Sequence, residues 1–186
     1  PWDVVHGLLA PGVELKAHQR AGLAWLWEQF SRGQAGVLLA DDMGLGKTLQ
    51  LAAFLALQRA TQPPGERSPS LLVCPVILLE NWQSELRRFF HPEVFASLLV
   101  LHGDTLRRLK RGKTLELTTV RGADYVLTNY ETLEAHQQSL LTLDWNIVIL
   151  DEAHKARRKG GLGDQKEQPN NLLSFMLQIG HRTKNL

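Results

Sequence analysis

The sequence predicts an α/β fold, a mostly parallel central sheet with helices on both faces. Three observations predict it. Short apolar runs alternate with amphipathic stretches along all 186 residues. The apolar runs are unbroken, the form taken by strands buried on both faces. A turn ending in Gly46, Lys47 and Thr48 stands between a strand-like run and a helix-like one. The length allows about one domain of ordinary size.

Residues 15–30 read as a helix with Leu15, Leu23, Leu26, Trp27 and Phe30 on one face. Residues 36–40 form a short apolar run, expected as the first buried strand. Residues 46–60 continue as a second helix. Pro63, Pro64, Gly65 and Pro69 make 61–70 a loop. A second strand is expected over 71–74, closed by Pro75, then a helix over 79–90 and a third strand over 97–101. The basic stretch 107–113 is expected on a short helix. A fourth strand over 124–128, a helix over 130–140 and a fifth, most apolar strand over 146–150 follow. Residues 159–171 are polar and read as a loop, and 172–179 as a closing helix. No internal repeat or low-complexity segment interrupts this order.

Composition narrows the class. Hydrophobic residues make up 44% and charged residues 22%, an ordinary globular balance that excludes a disordered, collagen-like or coiled-coil chain. Basic side chains number 21 against 19 acidic, a formal charge of +2, with a pI near 8.9. The one cysteine, Cys74, excludes an internal disulfide framework and a cysteine-based zinc site. It sits at a strand end and reads as a small buried hydrophobe. No apolar stretch reaches the roughly 18–20 residues of a spanning helix, and no signal or lipidation motif opens the chain. A soluble protein of a reducing compartment is expected, cytoplasmic if bacterial and nuclear if eukaryotic, with a residue usage that leans bacterial. The first residue is Pro1 and the last four give no helix stop, so a piece of a longer protein is expected.

Residues 41–48 follow the first expected strand and open a helix, the placement of a phosphate-binding loop. Backbone N–H groups of such a turn and of the helix start converge on one anion site. Asp42, Met43, Gly44, Leu45, Gly46, Lys47, Thr48 and Leu49 are the candidate nucleotide-binding residues. Lys47 can reach the β- and γ-phosphates, and the Thr48 hydroxyl can ligate Mg²⁺. The usual motif opens on Gly where this chain has Asp41. Downstream, the fifth expected strand runs into Asp151-Glu152-Ala153-His154, where a Walker B carboxylate sits. Asp151 would hold Mg²⁺, through water, and Glu152 would polarise the attacking water.

With both halves in place the sequence resembles the Swi2/Snf2-type ATPases of superfamily 2. Residues 41–48 are similar to their motif I, which also begins with Asp, and 151–154 to the DEAH form of motif II. Asn81-Trp82 with Glu85 and Phe89 resembles the segment after motif Ia. Residues 15–26, with His18, Gln19 and Gly22, resemble the adenine-recognition helix, and 126–130 motif Ib. The resemblance spans roughly residues 14–155. DEAH-type RNA helicases share motif II, but they lack the Asn-Trp segment and rank second.

This resemblance implies the first of two RecA-like lobes of an ATP-dependent duplex-DNA translocase or remodelling motor, with ATP and Mg²⁺ as cofactors and the second lobe as partner. Residues 1–13 are expected as a leader, 14–33 as the adenine-recognition helix and 34–186 as a core that stops before motif III. Alone, the fragment would hydrolyse ATP slowly, because the second lobe's arginine finger is worth about 10³–10⁵ in rate in related NTPases. A nucleotide-dependent interaction module with little turnover is the alternative from another class.

Gln19 is expected to bond the adenine edge, against a solvated glutamine on a helix. His154 is expected to couple the nucleotide site to the motor, against a buried structural histidine. All five tryptophans, Trp2, Trp25, Trp27, Trp82 and Trp145, are expected to pack. Pro75, Thr128 and Asn129, just past strand ends, could offer N–H and hydroxyl groups to nucleic-acid phosphates. Lys155, Arg157, Arg158 and Lys159 after motif II are the better basic cluster. Arg107, Arg108, Lys110, Arg111 and Lys113 are the other, with a solvated helix face as the plain alternative.

Overall fold

The computed structural model describes residues 2–34, 36–40, 44–63, 67–153 and 175. The chain divides into two compact units, one holding Pro1–Arg67 and Glu80–Ser97, the other Ser68–Leu79 and Leu98–Lys184. Most of the expected loop 159–171 and closing helix 172–179 lies outside the described residues; Phe175 alone is described there, helical and buried.

The first unit is helical. Helix α1 (Trp2–Leu8) occupies what was expected to be a plain leader. Past its end, Leu9 bridges to Phe90, and the Ala10 N–H donates to the Phe89 carbonyl at 2.9 Å. Helix α2 (Ala17–Ser31) buries Gln19, Leu23 and Leu26, one face at the i, i+4, i+7 spacing of an amphipathic helix. Trp27 and Phe30 are half-buried, and Phe30 meets Phe54 of helix α3 (Lys47–Thr61) edge-on at 5.7 Å. Trp82, on helix α4 (Leu79–Phe89), is 1% exposed and packs as expected. Trp2 and Trp25 do not: they are 42% and 38% exposed. Trp25 lies off the buried Gln19, Leu23 and Leu26 face of its helix, while Trp2 stands at the start of α1, three residues before buried Val5.

The expected strand over 36–40 does not form. Leu38 is 81% exposed and Val37 46%, and the stretch joins no sheet. Hydrophobicity proposes a strand, but pairing makes one, and among the described residues the first unit holds no strand for this run to pair with.

The second unit is built on a four-stranded sheet in the order β2-β5-β1-β6. Its strands are β1 (Ser70–Cys74), β2 (Leu98–Val100), β5 (Tyr125–Asn129) and β6 (Val148–Leu150), all parallel. The two inner strands, β1 and β5, are buried at every residue, while the edge strands are half-buried except at Ile149, as neighbours on both sides require. Between β2 and β5 lie four further elements. Helix α5 (Gly103–Leu109) covers only the start of the basic stretch expected as helix. Lys110 and Arg111 instead form β3 (Lys110–Arg111), which pairs antiparallel with β4 (Thr114–Leu115) around Gly112 at φ 62°. A glycine in the left-handed region ends helices and turns hairpins, and here it does the second. Helix α6 (Leu117–Arg121) follows, then helix α7 (Tyr130–Leu140) after β5. Trp145 is buried, with its indole N–H on the Leu140 carbonyl at 2.9 Å.

Glu116 caps α6. Its carboxylate accepts from the Thr118 and Thr119 N–H groups at 2.6 and 3.3 Å and from the Thr119 hydroxyl at 2.8 Å. These bonds from Thr118 and Thr119 hold the carboxyl down at about 2, against an ordinary 4.5. A lowered pKa stabilises the fold above the unfolded value and loses that contribution as pH falls from 4.5 toward 2. Glu116→Gln is therefore expected to destabilise at pH 6 and to approach the parent by pH 3, read as urea midpoints at the two pH values.

Candidate functional site

The phosphate turn belongs to the first unit. Gly44 and Gly46 stand at φ 88° and 74°, left-handed backbone that side chains with a Cβ resist. Gly46 is the N-cap of α3, a helix of 15 residues with no side chain capping it and no acidic residue in its first turn. The first N–H groups of a helix find no acceptor within it, and a helix start favours an anion. Space for a Cβ on Gly44 is open. Gly44 and Leu45 are exposed, while Gly46, Lys47 and Thr48 are half-exposed. This donor set fits the phosphates of a nucleotide. Leu49 faces inward at 7% exposure, so it supports the turn from below. Asp42 and Met43 lie outside the described residues.

Helix α2 clamps this turn. Gln19, 7% exposed, accepts from the Lys16 N–H at 2.9 Å and donates through Nε2 to the Leu45 carbonyl at 3.4 Å. His18 Nε2 lies 3.1 Å from the same carbonyl. A carbonyl only accepts, so the His18 proton is on Nε2. Gln19 is therefore no solvated glutamine: its amide ties the start of α2 to the turn. His18 went without a role in the sequence, because a lone histidine in the first turn of a helix carries no signal of a partner 27 residues on. Gly22 is similarly placed by contact, since a Cβ there would collide with Gln50 Oε1.

The acidic site belongs to the second unit. The Asp151 N–H donates to the Val73 carbonyl at 2.8 Å, which continues the β1–β6 ladder past Leu150. The Tyr130 hydroxyl donates to the Asp151 carbonyl at 2.8 Å. Two elements thus fix the Asp151 backbone. Glu152 has φ 55°, the one positive value outside glycine among the described residues. Strain of this kind costs about 1–3 kcal/mol and persists where neighbouring structure enforces it. Both carboxylate residues are half-buried. Burial first, and then the Asp151 charge, push the Cys74 thiol up to about 12. The same two causes, in the same order, push the Tyr130 hydroxyl above its usual value.

Three expected nucleic-acid residues sit on the same strand-end rim, and two face inward. Thr128 is fully buried, its hydroxyl donating to the Leu101 carbonyl at 2.8 Å. Asn129 is 4% exposed and caps α7 by accepting from the Thr132 N–H at 3.0 Å. Both side chains hold the fold and offer nothing outward. Pro75 is half-buried at the start of a 3₁₀ turn, Val76–Leu78. His154, Lys155, Arg157, Arg158 and Lys159 lie outside the described residues. Among the described residues no helix is long and apolar enough to cross a membrane.

Two outcomes follow from these contacts. Gly46→Ala meets left-handed backbone and a collision with Gln19 Nε2; a loss of about 1–2 kcal/mol in urea unfolding is expected. Cys74, buried and protonated, is expected to resist a thiol reagent at pH 8 until the chain unfolds, and immediate modification of the folded protein would contradict its placement.

Residues 18–162 match the SNF2-related domain. The chain is 40% identical over 169 residues to the Zorya protein ZorD of Escherichia coli, a match covering 81% of this chain and 15% of that protein. It is 30% identical over 164 residues to Switch 2 of Arabidopsis thaliana, covering 84% of this chain and 18% of that one. Among solved structures it resembles the Sulfolobus solfataricus SWI2/SNF2 ATPase core in complex with dsDNA, at a TM-score of 0.64 and 32% identity, over 81% of this chain and 29% of that one. The UvsW helicase of bacteriophage T4 shares the fold at a TM-score of 0.60 and 12% identity, over 94% of this chain and 52% of that one.

Proposed function

The chain belongs to the SNF2-related family of helicase-like ATPase domains, and from that premise we propose that it is the ATP-binding RecA-like lobe of a duplex-DNA translocase. The observation that carries the proposal is the phosphate turn: left-handed Gly44 and Gly46 before an uncapped 15-residue helix, pinned by Gln19 through the Leu45 carbonyl. In this reading the turn and Lys47 would bind the phosphates, and Thr48 and Asp151 would hold the Mg²⁺. Mg²⁺ supplies neutralisation of the charge on the phosphates. Glu152 orients and polarises the attacking water, and its enforced backbone aims that carboxylate. Gln19, its amide held by the Lys16 N–H and the Leu45 carbonyl, lies on the adenine-recognising edge of α2. His154 couples nucleotide to motor. Support for a duplex substrate comes from the likeness to a core solved with dsDNA.

The matched relatives are several times longer than this chain, and the arginine finger is assigned to a second lobe. These 186 residues alone are accordingly expected to turn ATP over slowly.

The deciding measurement is steady-state ATPase activity of the full-length protein with duplex DNA, single-stranded DNA and RNA. Stimulation by duplex DNA is expected. Glu152→Gln is expected to lower turnover by about 10²–10⁴ while nucleotide binding persists. Stimulation by RNA alone would replace the substrate class, and no stimulation by any nucleic acid would leave a nucleotide-dependent interaction module.

A further inference from the structure

The formal charge of +2 conceals an uneven distribution. Between Gly103 and Arg121 there are six basic residues, Arg107, Arg108, Lys110, Arg111, Lys113 and Arg121, against Asp104 and Glu116. That stretch is +4, so the rest of the chain is −2. The basic side chains here are all exposed.

Local structure accounts for some of them. Arg107 pairs with Asp104 one turn back. Arg111 donates through Nη1 to the Arg108 and Lys110 carbonyls at 2.7 and 3.0 Å, which closes the end of α5. Arg108, Lys110 and Lys113 are not accounted for this way: among the described residues no acidic side chain pairs with them.

The hairpin that presents them is anchored. The Leu115 N–H donates to Ser139 Oγ at 3.3 Å, and the Lys113 carbonyl faces the His136 ring. His136 is buried where α7 departs from helical backbone, at φ −124° and ψ 18°. Ser139 is ten residues beyond Asn129, so the hairpin is anchored toward the far end of α7 from the strand-end rim. It is a separate place in the same unit.

Its chemistry selects the partner. Residues 103–121 hold no Phe, Tyr or Trp, so there is no platform for unstacked bases. Leu109 and Leu115 point inward and Leu106 and Leu117 are half-buried, so there is no fully exposed apolar anchor of the kind a protein interface centres on. What is left is a fixed set of cations without a stacking or apolar component, which suits a regular line of phosphates.

We infer that β3, β4 and the end of α5 form a contact for the phosphate backbone of duplex DNA, made by Arg108, Lys110 and Lys113 and away from the strand-end rim. The inference rests on the duplex reading given above.

The test uses the full-length protein and the triple variant Arg108→Gln/Lys110→Gln/Lys113→Gln. Duplex affinity is followed by fluorescence anisotropy between 50 and 200 mM KCl, with a thermal melt of each protein and poly-glutamate binding as a second arm. The expected result is an unchanged melt, duplex binding at least about tenfold weaker at 100 mM salt, and a log–log salt slope shallower by about 2–3, near 0.9 for each lost contact. Arg32→Gln, which removes an exposed charge paired with Glu28, is expected to change none of these. An unchanged duplex affinity and slope in a variant that folds would overturn the inference and leave the duplex reading standing. Loss of poly-glutamate binding with duplex binding intact would reassign the patch to an acidic protein. A parent protein that fails to bind duplex DNA at all would sink the duplex reading itself, and this contact with it.

Discussion

The Leu45 carbonyl accepts from both Gln19 and His18, and the placement of the phosphate turn depends on that shared acceptor. A helix start attracts an anion only if the preceding backbone turns away and leaves the first N–H groups facing outward. Left-handed Gly44 and Gly46 make that turn, but glycine is permissive and does not hold a shape by itself. The hydrogen bonds from α2 hold it. Gln19 can act this way because it is buried and is itself fixed by the Lys16 N–H. A solvated glutamine would exchange its bond with water at little cost, whereas a buried one loses about 1–3 kcal/mol if its polar atoms go unpaired. The aromatic contact of Phe30 with Phe54 joins the same two helices further along.

The second unit reaches a comparable rigidity by another route. Parallel strands bring their carboxyl ends to one edge, and register decides which residues stand level there. Cys74 pairs with Asn129 and Val73 with Leu150, so Asp151 emerges beside Cys74. The Val73 carbonyl and the Tyr130 hydroxyl then fix its backbone from two sides. With the preceding residue immobile, Glu152 can be kept at a positive φ that a free chain would relax. Thr128 and Asn129 belong to this scaffold. Their polar atoms close the ladder and cap α7, which is why residues that look available at a strand end are turned inward.

What the sequence made legible follows from what each signal measures. Four of the five expected strands form, because their apolar runs each find a parallel neighbour. The run at 36–40 carries the same signal and stays exposed, since hydropathy reports a tendency to bury and says nothing of a partner. Helix α1 was missed for the opposite reason: seven residues with one buried side chain show no periodicity to read. The phosphate turn was legible because glycine, lysine and threonine at fixed spacing serve backbone geometry and charge at once. The clamp on it was not legible, because a hydrogen bond over 26 residues leaves no local pattern.

The basic hairpin illustrates the same limit with charge. Read as a continuous helix, the stretch 107–113 would scatter its cations around a cylinder, and a solvated face is the natural conclusion. The helix instead ends at Leu109, and Gly112 turns the strand that follows it back as β4. Lys110 and Lys113 then flank one turn, next to Arg108 at the helix end, on a platform bonded to α7. A field is set by where charges are held as much as by how many there are. The basic residues that barely move the chain's total to +2 therefore gather at one place once the helix stops at Leu109 and a single glycine turns the hairpin.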